Sequence, residues 1–173
     1  MIILRGEGHR GRKTSELPSV CSLDAFASDG ANKGVTDAWN QHYSVIKAAN
    51  LITESASKAP VAQDKINVAL GNAHFWRAYA YYYLVRVFGP VPLITGTDVS
   101  QLEVAPSSVK DVYELIVSDL KAAVNELPTK YEKEPSRLFG VDIWTTKQAA
   151  QATLSAVYMS MAGYKMQDRK SVV

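Results

Sequence analysis

The chain has 173 residues, 47% of them hydrophobic and 21% charged, with 19 Lys and Arg against 17 Asp and Glu for a formal charge of +2. Mean hydropathy is −0.10. This composition excludes intrinsic disorder, no apolar run approaches the roughly 20 residues that cross a bilayer, and the near-balanced charge argues against nucleic acid as a partner, because phosphate tracking needs clustered Lys and Arg.

The length suggests one domain or part of one. Cys21 stands alone, which rules out an internal disulfide framework or a cysteine-built zinc site. Met1-Ile2-Ile3-Leu4 is followed at once by the charged stretch Arg5 to Lys13, the reverse of a signal peptide's order. Val20 stands where a lipoprotein acceptor site wants a small residue, so Cys21 does not read as one.

Four helices are predicted and strand signals are almost absent. The first runs from about Asp37 to Ser55, with Thr36 as N-cap and Trp39, Tyr43, Ile46, Asn50 and Thr53 on one face. The second, about Gln63 to Phe88, carries apolar residues nearly all round and is expected to be central and covered on several sides. Phe88-Gly89-Pro90-Val91-Pro92 ends it, with Gly89 as a left-handed cap and two prolines preventing continuation.

The third helix begins after Pro106, with Ser107 or Ser108 as N-cap and Asp111 completing a variant capping box. Val112, Leu115, Ile116, Leu120, Ala123 and Leu127 form its stripe, and Pro128 stops it. Residues 128–142 read as a loop. The fourth helix, about Thr146 to Ala162, presents Ala149, Ala150, Thr153, Leu154, Val157, Tyr158 and Met161. The pattern is an all-α fold, an irregular tetratricopeptide-like helical repeat. The repeat signature itself is partial: Leu70-Gly71-x-x-His74 shares only the first half of the tetratricopeptide Leu-Gly-x-x-Tyr, with no second copy 34 residues away.

No catalytic constellation is legible. His9, His42 and His74 lack partners in any recognisable motif, and His42 and His74 read as structural histidines. The acidic pairs Glu132/Glu134 and Asp111/Glu114 lie in a Pro-flanked loop and a helix's first turn, where carboxylates are solvated or complement the helix dipole. Arg77 and Arg86 sit amid aromatics and could hold an anion; pairing with carboxylates of the next helix is the preferred reading. Tyr79, Tyr81, Tyr82 and Tyr83 point around the whole helix circumference, so inter-helix packing is expected rather than one sugar-binding platform. No metal, cofactor or catalytic residue is assigned.

The segment Phe75-Trp76-Arg77-Ala78 through Leu84-Val85-Arg86-Val87-Phe88-Gly89-Pro90-Val91-Pro92-Leu93 closely resembles the central motif of the SusD/RagB family, Phe-x-Arg-Ala followed by Leu-Val-Arg-x-Phe-Gly-x-Val-Pro-Leu. Three further stretches are similar in order: Trp39-x-x-x-Tyr43-x-x-Ile46-x-x-Ala49-Asn50, Asp111-Val112-Tyr113-x-x-Ile116-x-x-Asp119-Leu120, and Thr146-Lys147-x-Ala149-Ala150-x-x-x-Leu154-x-x-Val157-Tyr158. Residues 36 to 166 are covered.

The resemblance implies a non-catalytic, cell-surface glycan-binding component of a nutrient-uptake system. Such a protein is a lipoprotein of the outer membrane, seated on a SusC-like TonB-dependent transporter, with an oligosaccharide or polysaccharide as ligand. Its membrane association runs through a lipid anchor missing from this fragment. The alternative is a tetratricopeptide-type protein–protein interaction scaffold. Asp29 and Asn32, in the loop before the first helix, are singled out as polar contacts for a sugar; beside Gly30 and Gly34 they are also ordinary turn residues. Trp39 could stack on a sugar, but its place in the apolar stripe favours the core.

Two positions depart from the family pattern: Asn72 stands where an acidic residue is common, and Ala156 where Arg is. Asp168-Arg169-Lys170-Ser171-Val172-Val173 matches one translated frame of a common sequencing adapter, so the native sequence is expected to end near Gln167. The expected organisation is residues 1–22 unassigned and non-native, matching nothing in the family, 23–167 a SusD-like helical domain fragment, and 168–173 adapter translation. Truncation should leave apolar faces of the second and fourth helices uncovered. Four bases and one acid in residues 1–13, and two bases and one acid in 168–173, exceed the whole net charge, so the body 14–167 carries −2.

Overall fold

The computed structural model describes residues 32–98, 104–131 and 145–168. Its helices are α1 (Lys33–Ser55), α2 (Gln63–Phe88), α3 (Val109–Glu126) and α4 (Lys147–Asp168), with a 3-10 turn at Ala56–Lys58. Among the described residues the extended pairing is a single antiparallel bridge between Val91 and Ser107. The fold is all-α, as the sequence pattern predicts.

The chain divides into two compact units, Met1–Gln41 and His42–Val173. In the first, α1 opens four residues earlier than expected. The Asn32 side-chain oxygen accepts the backbone N–H of Gly34 at 2.8 Å and of Val35 at 3.3 Å, the satisfaction of orphan donors that defines an N-cap. Thr36 therefore lies inside the helix and turns its hydroxyl back to the Asn32 carbonyl at 3.3 Å. Gly34 suggested a turn because glycine is a poor helix former, by about 1 kcal/mol relative to Ala. The Asn32 cap and the exposed Lys33–Asp37 pair at 2.5 Å offset part of that.

In the second unit, α3 packs along α2 and α4 along α3. The core is the apolar stripe of each helix: Ile46 of α1, Ala78, Tyr81 and Leu84 of α2, Val112, Ile116 and Leu120 of α3, and Ala150 and Val157 of α4 are essentially inaccessible to solvent. Each large aliphatic buried in this way contributes about 1.5–3 kcal/mol. Gly71 lets α2 approach the end of α3 closely, since a Cβ there would stand 2.8 Å from Leu127 Cγ and 3.1 Å from Glu126 Cβ.

The helix ends follow their local chemistry. Ser108 Oγ accepts the Asp111 N–H at 3.1 Å and donates to the Asp111 carboxylate at 2.7 Å, which makes Ser108 rather than Ser107 the N-cap of α3. Gly89 closes α2 with its N–H on the Val85 carbonyl; its φ is +74° as glycine permits, but its ψ of −128° is that of a reversing turn instead of a left-handed helical cap. Pro90 and Pro92 then carry the chain away extended. Thr146 precedes α4, and its carbonyl accepts the Ala150 N–H at 3.1 Å.

The expectation that α2 is covered all round is only half met. Phe75, Ala78, Tyr81, Leu84 and Val85 are buried, whereas Trp76, Tyr79, Tyr83 and Val87 are exposed. On α4, Tyr158 and Met159 are likewise exposed.

Candidate functional site

The segment 89–98 that leaves α2 is gripped by side chains from α1 and α2. Tyr43 donates its hydroxyl to the Pro92 carbonyl at 2.8 Å. Tyr81 accepts the Ile94 N–H at 2.7 Å and donates to the Ile94 carbonyl at 3.2 Å. Asn50 donates to the carbonyls of Ile94 at 2.8 Å and Gly96 at 3.1 Å. Glu54 accepts the Thr97 N–H at 2.8 Å and the Thr97 hydroxyl. Beyond the single bridge of Val91 to Ser107, the extended strap finds its hydrogen bonds in side chains.

Behind the strap lies a buried ionic knot. Arg77 donates from Nε and one terminal nitrogen to the two carboxylate oxygens of Asp119, both at 2.7 Å, and from the other terminal nitrogen to Asn50 Oδ1 at 2.8 Å. Arg77, Asp119 and Asn50 are all buried. Burial opposes the Arg77 charge, but hydrogen bonds and the charge of Asp119 outweigh it and hold the guanidinium above its ordinary pKa. Desolvation pushes the Tyr81 hydroxyl up to about 12 against the lowering effect of the Ile94 N–H and of Arg77. Tyr43 is raised too, first by burial and then by Tyr81.

This knot answers the question posed by Arg77: its charge is spent on Asp119, from the next helix, with no face left for an anion. Arg86 instead sits exposed, its guanidinium carbon 5.0 Å from the centre of the Tyr82 ring. His74 bonds Glu126 at 2.7 Å across α2 and α3. His42 stacks on Tyr83 with ring centres 4.0 Å apart and planes 7° from parallel. Asn72 meets the Thr145 N–H at 3.3 Å, and Tyr131 donates to the Thr145 carbonyl at 2.7 Å. Asn72, at a family acidic position, therefore does neutral structural work. Among the described residues every buried side-chain nitrogen or oxygen has a partner, and no cluster of His, Cys, Asp or Glu has metal-binding geometry.

Among the described residues, two of the shallow grooves lie beside this scaffold. One of ≈ 330 Å³ is lined by Ser44, Lys47, Ala48, Leu51 and Thr97. The other, of ≈ 210 Å³, lies between α1 and α2 and is lined by Val45, Ala48, Ile52, Asn72 and Trp76 among others. Both are apolar; neither gathers the convergent polar groups of a small-molecule site.

Of the residues singled out for sugar contact, Asn32 is buried with its oxygen engaged by α1, and Asp29 lies outside the described residues, as do Glu132 and Glu134. Trp39 is half-buried. The residues that sequence reasoning missed are the strap-holders Tyr43, Asn50 and Glu54. Asn50 carried a signal, being an amide inside an apolar stripe.

The buried pair, the strap and the helix order can be set beside known proteins. Residues 18–159 match a SusD-like family model described as starch-binding associating with outer membrane. The chain belongs to the SusD-like family.

A SusD-like protein P2 of Formosa agariphila is 31% identical over 174 residues, covering 95% of this chain and 32% of that protein. A crystal structure of a SusD-like protein from Bacteroides fragilis aligns with a TM-score of 0.68 at 28% identity, over 80% of this chain and 26% of the other. A third, solved with xylogluco-oligosaccharide, aligns with a TM-score of 0.66 at 27% identity, over 79% and 26%. The chain thus spans about a third of the length of that curated relative and about a quarter of the solved ones.

Proposed function

We propose that this chain is the helical part of a cell-surface glycan-binding protein that captures oligosaccharides for an outer-membrane uptake system without cleaving them. The observation that carries this reading is the SusD-like match over residues 18–159, together with a neighbour of the same fold solved with xylogluco-oligosaccharide. The geometry is consistent with a scaffold: its buried charge, amides and hydroxyls are consumed in holding α1, α2, α3 and the strap together.

The finer parts of the proposal are a SusC-like TonB-dependent transporter as partner, a lipid anchor outside the present sequence, and location at the outer-membrane surface. Residues 23–167 would be the SusD-like portion and 168–173 adapter translation. Asp29 and Asn32 remain the proposed polar contacts for a sugar. Asn32 Oδ1 is committed to α1, so Asn32→Asp would keep the cap acceptor while replacing the amide donors with a carboxylate charge.

Affinity electrophoresis of the full-length gene product through gels containing xyloglucan, starch and other polysaccharides tests the reading. Retardation by at least one is expected; none across the panel overturns it. Co-purification of a TonB-dependent transporter checks the partner. The exposed aromatic face of α2 favours a second reading, a scaffold for peptides or helices, which predicts protein capture with no polysaccharide retardation.

A further inference from the structure

We draw no further inference here: the strongest candidate, the exposed apolar stripe of Trp76, Tyr79 and Val87 on α2 with the groove beside Trp76, carries none because nothing in the structure shows what covers it.

Discussion

Asp119 of α3 receives two hydrogen bonds of 2.7 Å from the Arg77 guanidinium of α2, and the third arm of that guanidinium reaches Asn50 of α1 at 2.8 Å. One side chain thereby fixes the mutual placement of three helices. Because Asn50 in turn holds the carbonyls of Ile94 and Gly96, the strap is tied to the same point. A buried ion pair is not strongly stabilising against an apolar replacement, but breaking it leaves an unpaired buried charge.

Asp119→Ala is expected to destabilise the full-length protein by about 3–5 kcal/mol, as is Arg77→Ala. Arg77→Met combined with Asp119→Leu should recover a large part of the loss. Chemical denaturation of the three variants and the parent checks this; a loss in the double variant as large as the two single losses together would mean that the charges are not coupled.

Tyr81 supplies an alkaline limit. Its hydroxyl is neutral when buried, with its pKa raised from 10.0 to about 12. The stabilisation is therefore complete below pH 10, where both folded and unfolded forms are protonated, and declines as pH rises toward 12, because the unfolded state releases its proton first. Two pKa units correspond to about 2–3 kcal/mol. Stability measured between pH 9 and 12 should fall, and Tyr81→Phe should flatten this limb relative to the parent. Below pH 9 the same variant should cost about 1–3 kcal/mol for the unpaired Ile94 N–H.

The helix pattern was legible because apolar periodicity and the C-terminal signal agree: the apolar residues of the second helix run from Ile66 to Val87 and Gly89-Pro90 closes it, and the observed helix is Gln63–Phe88. The start of α1 was misread because Gly34 weakened the pattern while the Asn32 cap, a three-dimensional hydrogen bond, overrode it. The structural role of Arg77 was legible in kind, but its partner was not, since Asp119 lies 42 residues away and only packing of α3 on α2 brings them together. Tyr79 was expected to pack between helices and is exposed instead, while Tyr83 stacks on His42 of α1 and is still more than a third exposed. Periodicity reveals which residues share a face; it does not say whether a neighbour covers that face.

Gly71 opposes two effects of known sign. Replacing it with Ala raises helix propensity by about 1 kcal/mol, yet the new methyl would stand 2.8 Å and 2.9 Å from Leu127 Cγ and Cδ2. Overpacking of a filled interface costs about 1–3 kcal/mol. Leu127 is buried and cannot simply swing into solvent. Gly71→Ala is expected to lower the melting temperature, and Gly71→Ala with Leu127→Ala should relieve the clash while opening a cavity. A single variant more stable than the parent would show that α3 can shift away from α2 at little cost.

Glu54 gives the acid side a distinct signature. Its carboxylate accepts the Thr97 hydroxyl and the Thr97 N–H, and these bonds, the hydroxyl first, hold its pKa below the usual 4.5. A carboxylate depressed on folding contributes above its unfolded pKa, and that contribution is lost as pH falls through the folded value. The end of the strap should therefore loosen in acid below pH 4.5, ahead of the buried contacts at Tyr81 and Asn50. Glu54 is exposed, so the effect is local and screened by salt. Amide exchange at Thr97 followed from pH 6 to pH 3, after correction for intrinsic rates, should show protection falling at Thr97 while the Ile94 N–H on Tyr81 stays protected. Glu54→Gln should abolish the pH dependence at Thr97; simultaneous loss at Thr97 and Ile94 would mean instead that the strap releases as one piece.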